Sequence, residues 1–147
     1  MSFKEIETWK VRVTKGKTTF VAKNVKTIHP VVDRIVRRLV EIDRIQYVRV
    51  SQGDLQASND IAIIGRTKIP ISKIGHPTAI GIHLILDFAY NAIQFFEMTS
   101  AVKGYGERMV RAIVSSIPND WEAIVVMDWS GGFWDKMAKK YDKIVII

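Results

Sequence analysis

The chain contains no cysteine. That excludes disulfides, thiolate-bound zinc and any mechanism built on a cysteine nucleophile, and it accords with a reducing compartment. No apolar run approaches the roughly 18 residues of a membrane span. The opening Met1-Ser2-Phe3-Lys4-Glu5 is charged and lacks the apolar stretch of a secretion signal, so the expected location is cytoplasmic. His29, His76 and His83 lack metal-ligand spacing. There is no His-Glu-x-x-His, acidic cluster or nucleophile elbow, and no metal is expected. On a strand His83 and Asp87 share a face but lie too far apart to pair directly. Internal repeats, low-complexity tracts and linkers are also missing.

What remains is an ordinary globular composition. The chain has 147 residues, 48% hydrophobic and 25% charged, which is enough for one domain (1–147) with a real core. The net charge of +7 attracts polyanions and anionic cofactors, or simply keeps a lysine-rich surface soluble.

Alternation from Thr8 to Val13, a turn at Lys15-Gly16-Lys17 and renewed alternation to Ala22 predict a β-hairpin. His29-Pro30 opens a helix over 31–45 whose apolar face is Val32, Ile35, Val36, Leu39, Val40 and Ile42. Its polar face carries Arg34, Arg37, Arg38, Glu41 and Arg44. Residues 46–51 read as a strand, 53–60 as a polar loop and 61–64 as a short strand. Residues 68–74, with Pro70, read as irregular or an edge strand. The runs Ile80 to Phe88 and Ala92 to Met98 predict a second hairpin around Tyr90-Asn91.

The last third is the most informative. A strand from Ala92 runs into Ala101-Val102-Lys103-Gly104-Tyr105-Gly106. A helix over 106–117 follows, with Met109, Val110, Ile113 and Val114 on its apolar face. Then come a strand over 121–128, a short helix over 133–141 after Gly131-Gly132, and a final strand over 143–147. The tryptophans (Trp9, Trp121, Trp129, Trp134) and Phe88, Phe95, Phe96 and Phe133 read mostly as core. Backbone N–H groups freed by a glycine turn and a first helical turn, at the positive end of a helix dipole, can hold a phosphate. Gly-x-Gly is also a common ordinary start to a helix. Glu107, in that first turn, favours the dipole.

The second half, residues 79–147, resembles the GNAT N-acetyltransferase superfamily. In that family a strand enters a turn of pattern Arg/Gln-x-x-Gly-x-Gly/Ala that opens a helix and holds the pyrophosphate of acetyl-CoA. Ala101-Val102-Lys103-Gly104-Tyr105-Gly106 matches both glycine positions, with Ala101 where Arg or Gln is usual. The family's Phe-Tyr-Glu-Lys helix has its counterpart in Phe133-Trp134-Asp135-Lys136. The resemblance implies an α+β fold: a central, mostly antiparallel twisted sheet flanked by helices. It also implies acetyl-CoA as co-substrate, bound by residues 101–106, with Lys103, Arg108, Lys17 or Lys23 adding charge.

Direct acetyl transfer to an amine needs a base for the amine and an acid for the thiolate. Glu97 is the candidate base; the other reading is a surface carboxylate. The family's tyrosine acid is replaced here by Trp134, whose indole N–H is no acid near neutral pH, which leaves Tyr141 or Tyr105. Asp128 and Ser130 could line the acceptor cleft. The acceptor is an unspecified amine, of a small molecule or a protein. The alternative is a non-catalytic basic domain binding nucleic acid or a protein through Arg34, Arg37, Arg38 and Arg44. A monomer or a homodimer is expected, since a short final strand leaves an open edge.

Overall fold

The computed structural model of the chain describes residues 9–65, 67–126, 128 and 130–147. Trp129, Met127 and the side chain of Trp9 lie outside what is described.

Over the described residues the protein is a mixed α/β structure with a large, mostly antiparallel sheet and three helices. Eight strands form that sheet in the order β1-β2-β3-β4-β7-β8-β9-β10, and β5 and β6 form a separate hairpin. Strands β1 (Trp9–Thr14) and β2 (Lys17–Ala22) pair antiparallel around a two-residue turn. Lys15 and Gly16 have φ of 52° and 75° there, the left-handed pair that suits the twist of a tight hairpin. Helix α1 (Pro30–Leu39) begins as expected but ends at Leu39, short of the expected Ile45, with turns carrying the chain over 40–44. Pro30 occupies the first turn and His29 caps it, Nδ1 accepting the Val31 N–H at 3.1 Å. At the far end, Lys17 Nζ donates to the Ile42 carbonyl at 3.0 Å and to that of Ile45. These carbonyls belong to the turns that follow the helix, where the Ile42 carbonyl also accepts from the Ile45 N–H at 3.1 Å.

Strand β3 (Tyr47–Val50) lies parallel to β2. The stretch expected as a polar loop is instead an interior strand, β4 (Asp54–Ser58), paired with β3 on one side and β7 on the other. Leu55 and Ala57 point into the core. Asp54 and Gln56 face the opposite side, where their partners stand on neighbouring strands: Arg49 Nη1 donates to Gln56 Oε1 at 2.8 Å. Cross-strand pairing overrode weak local preference.

Between β4 and β7 the chain makes an excursion, β5 (Ile61–Ile64) and β6 (Thr67–Pro70), that folds over the sheet. It returns so close to β7 (Ile80–Asp87) that a Cβ on Gly81 would stand 2.0 Å from the Ile71 carbonyl oxygen. Strands β7 and β8 (Ala92–Ser100) form the second expected hairpin, with Asn91 left-handed at φ 51°. Their register slips once: His83 faces Glu97 while Leu84 faces Phe95, so Phe96 is the extra residue of a bulge.

The remainder is α2 (Tyr105–Val114), β9 (Glu122–Val125), α3 (Phe133–Lys140) and β10 (Ile144–Ile146), with β8, β9 and β10 mutually parallel. Core side chains from all three helices join one cluster with Leu55, Ile82, Leu84, Ile93 and Phe95. The helices thus share one face of the sheet, and the excursion crosses the other. Phe88 and Phe96, expected in the core, are 38% and 50% exposed. Among the described residues no helix is long and apolar enough to cross a membrane.

Candidate functional site

Parallel strands β8 and β9 pair over only three positions, Ala92, Ile93 and Gln94 against Glu122, Ala123 and Ile124. Beyond them β8 continues to Ser100 while β9 ends at Val125. The strands part toward their C-terminal ends, and a cleft of about 440 Å³ opens between them. Clefts of this size, largely apolar with a few polar groups, suit small ligands. One wall is β8 from Gln94 to Ser100; the other comprises Val125, Val126, Phe133 and Trp134. Ala101 N–H donates to Ala79 O on the β7 side at 3.0 Å. Alternation along the strand turns the backbone groups of Met98 and Ser100 the other way, to the cleft edge.

The glycine turn stands at the end of that wall. Ala101 to Gly104 are exposed, and Gly104 precedes α2 at φ 93°, with no side chain capping the helix. Gly106 is buried and lines the cleft. A Cβ there would meet the Phe133 ring at 3.4 Å, ordinary contact distance, so α2 and α3 come together at the cleft floor. The carboxylate in the first turn of α2, Glu107, is engaged by Lys140 Nζ, with Arg111 at 3.8 Å. The hydrogen bond from Lys140 holds its carboxyl below the usual range. Sequence spacing placed Glu107 beside a phosphate site; α3 supplies the charge that offsets it.

Of the residues expected to act, Glu97 lines the cleft, as does Ser130. Asp128 Oδ1 accepts from Ser130 N–H at 2.8 Å and from its hydroxyl, shaping the loop into α3. Trp134 packs against Phe95, ring centroids 4.7 Å apart. Tyr141 is not brought to the site. It follows the last turn of α3, whose first turn borders the cleft, and its hydroxyl meets Arg111 Nε at 3.5 Å. Tyr105 is also committed elsewhere: its hydroxyl donates to Asp43 at 2.9 Å, and Arg108 Nη1 donates to the same carboxylate at 3.0 Å. The Tyr105 bond is the main reason that carboxyl is held low. Lys103 is exposed on the turn, whereas Lys17 braces the turns after α1 and Lys23 follows β2, away from the cleft.

The arginines named for nucleic acid do not form one free stripe. Arg34 Nε donates to the Ser116 carbonyl at 2.9 Å, tying α1 to α2. Arg37 pairs with Asp33 at 2.9 Å. Arg38 does line a shallow groove between the helices, together with Arg108 and Arg111, and Arg44 is exposed.

A third feature was not legible in the sequence. His83 Nε2 lies 2.9 Å from Asp54 Oδ2, on the face of the sheet away from the helices. Reading β4 as a loop left Asp54 without a position. Phe96, taken for core, is turned outward by the bulge and lines the cleft. Among the described residues no group of three histidines or carboxylates is placed to hold a metal ion. Compared with known proteins, the chain matches no family model, no curated protein and no solved structure.

Proposed function

We propose that the protein is an acyl-CoA-dependent N-acyltransferase, a divergent member of the GNAT superfamily, which transfers acetyl from acetyl-CoA to an amine in a ternary complex. The observation that carries this reading is the parting of β8 and β9. It makes a largely apolar cleft with a glycine turn and an uncapped helix N-terminus at one end and a carboxylate, Glu97, on its wall. The amides of Val102, Lys103, Gly104 and Gly106 would take the pyrophosphate, while the Ala101 N–H stays bonded to the Ala79 carbonyl and the Tyr105 N–H faces the Val102 carbonyl. The apolar walls would take the pantetheine arm, and the free backbone edge of β8 would orient its amides. The thioester would then lie near Glu97, where a developing oxyanion needs hydrogen-bond donors and an amine needs a proton acceptor. With Tyr141 and Tyr105 engaged away from the cleft, the thiolate is best protonated by solvent at the mouth.

Calorimetry with CoA and acetyl-CoA tests the reading. Binding is expected, and Gly104→Glu, which sets a carboxylate on the turn, should abolish it. Gly104→Ala imposes a similar backbone strain without the charge and should bind. If neither ligand binds at millimolar concentration, the acyltransferase reading fails.

One observation favours a second reading, a non-catalytic basic domain: Arg38, Arg108 and Arg111 share one groove. Affinity for a nucleic acid that falls steeply with salt and is lost in an Arg38→Ala/Arg111→Ala double variant would support it.

A further inference from the structure

The face of the sheet that the β5–β6 excursion crosses carries a set of groups that the cleft alone does not use. Gln56 on β4 faces His83 on β7, and His83 faces Glu97 on β8. Asp54, two residues along β4 and on the same face, reaches His83 diagonally, 2.9 Å from Nε2. An ionised carboxylate only accepts, so Nε2 carries the hydrogen and the neutral ring keeps its lone pair on Nδ1. Asp54 is well placed to remain ionised. The hydrogen bond from His83 holds its carboxyl below the ordinary range, helped by the Ser51 hydroxyl and by the charge of Arg49. The charged groups around the imidazole are therefore Asp54 and Arg49 on one side and Glu97 on the other.

This set adjoins the cleft. The His83 ring meets Phe96 edge-on with centroids 5.1 Å apart, and Phe96 and Glu97 both line the cleft wall. The bulge that turns Phe96 outward falls beside His83. Bulges gather next to active sites, where they re-aim side chains. His83 itself is shielded but not sealed, with its side chain 18% exposed.

We propose that a cationic primary amine binds over β7 and β8 on this outer face, that Glu97 attracts its ammonium group, and that His83 Nδ1 takes its proton, with Asp54 as the positioning residue. The proposal rests on the acyltransferase reading. The amine nitrogen forms a bond to the thioester carbon, and the C–S bond breaks with its electron pair on sulfur. Two protons leave the ammonium nitrogen. The first passes through Nδ1 to solvent and frees the lone pair that attacks. The second goes to Nδ1 as the C–S bond breaks, and an equal proton reaches the thiolate through solvent. Ammonium and acetyl-CoA thus give amide, CoA thiol and one proton released to solvent, with no change of oxidation state.

Because the chain has no cysteine, a thiol reagent reports released CoA without background from the protein. The assay uses saturating acetyl-CoA with ethanolamine, spermidine or a lysine peptide, and water alone as a further acceptor. General-base catalysis contributes roughly 10²–10⁴-fold, so His83→Gln should lose at least about 100-fold in CoA release with unchanged CoA affinity by calorimetry. Asp54→Asn keeps a hydrogen-bonding group but can also donate, so it no longer enforces the hydrogen on Nε2. It should lower kcat with the amine KM and the CoA affinity unchanged, a split that a merely structural role would not produce. That second variant decides the matter if His83→Gln does not fold. His83→Gln active within threefold of wild type, or an unchanged kcat in Asp54→Asn, overturns the proposal. So does a wild type that binds CoA yet releases none with any acceptor. A wild type that binds no CoA defeats the acyltransferase reading itself.

Discussion

Gly81→Ala is the sharpest test of how the outer face is built. Gly81 lies in the middle of the sheet with a backbone that any residue can adopt, so the substitution adds no conformational strain. What it adds is one methyl group, 2.0 Å from the Ile71 carbonyl oxygen and 3.0 Å from Ser58 Oγ. A carbon and a carbonyl oxygen do not rest closer than about 3.3 Å, so the strand or the returning segment must give by roughly 1.3 Å. Neither yields easily. The Ile71 N–H donates to the Asp60 carbonyl at 3.0 Å, Ser72 is buried beside it, and Gly81 pairs with Ser58 and Thr99 on both sides. Overpacking of this kind costs about 1–3 kcal/mol. For a chain of this length each kcal/mol lowers Tm by roughly 2–4 °C, so a fall of about 2–12 °C is expected. Urea unfolding with an unchanged m value would place the loss in the folded state. Gly53→Ala is the matched control, since a Cβ there meets nothing within 4 Å. It should stay within about 0.5 kcal/mol of wild type. If Gly81→Ala is as stable as Gly53→Ala, the excursion does not press on β7 and the described outer face is wrong.

Two further outcomes follow from the same geometry. Asp54 has a folded-state pKa below its unfolded value, so its partners contribute stability that is present above the unfolded value of about 3.9 and disappears as pH falls through the folded value. Urea unfolding followed from pH 7 down to pH 2 should show that acid-side loss in wild type and a smaller loss in Asp54→Asn. The two glycines of the turn should separate by mechanism. Gly104→Ala forces a side chain to φ 93° and should cost about 1–2 kcal/mol, whereas Gly106→Ala fits against Phe133 at 3.4 Å and gains helix propensity, so its Tm should hold or rise. Equal effects at the two positions would contradict this assignment of their roles.

The elements that were legible are those whose period and punctuation agree. Helix α1 shows five apolar residues on one face behind His29-Pro30, and the β1–β2 turn shows Lys15-Gly16 between alternating runs. The β8-to-β10 series was legible for the same reason. Strand β4 was not, because Asp54, Gln56 and Ser58 look like loop residues until their partners on β3 and β7 are in place. Those partners are remote in sequence, and no local pattern encodes them. The same blindness hid the Asp54–His83 pair. Glu97 and the turn could be named because strand and helix bracket them. Tyr141 was misjudged for the converse reason: residue type made it a candidate, while position on α3 depends on how that helix packs, with Lys140 drawn to Glu107 and Tyr141 to Arg111.

The cleft itself needs no special motif, only unequal strands. Strand β8 has an antiparallel neighbour over its whole length on one side and a parallel neighbour over three residues on the other. A parallel neighbour requires a crossover, here α2, and the crossover starts only after β8 has run to Ser100. Strand β9 ends after four residues, and its chain then turns through Ser130 and the paired glycines into α3. The unshared length of β8 must therefore face a gap. The gap sits where parallel strands end at helix N-termini, which is where open α/β sheets place their ligands. Shortening β8 past Gln94 would close the gap and move the turn at once. For that reason a variant that fills the cleft from the β9 side is the cleaner probe of ligand binding. Val126→Trp does this while leaving the glycine turn and the His83–Asp54 pair unsubstituted, and it should weaken CoA binding by calorimetry with little change in Tm.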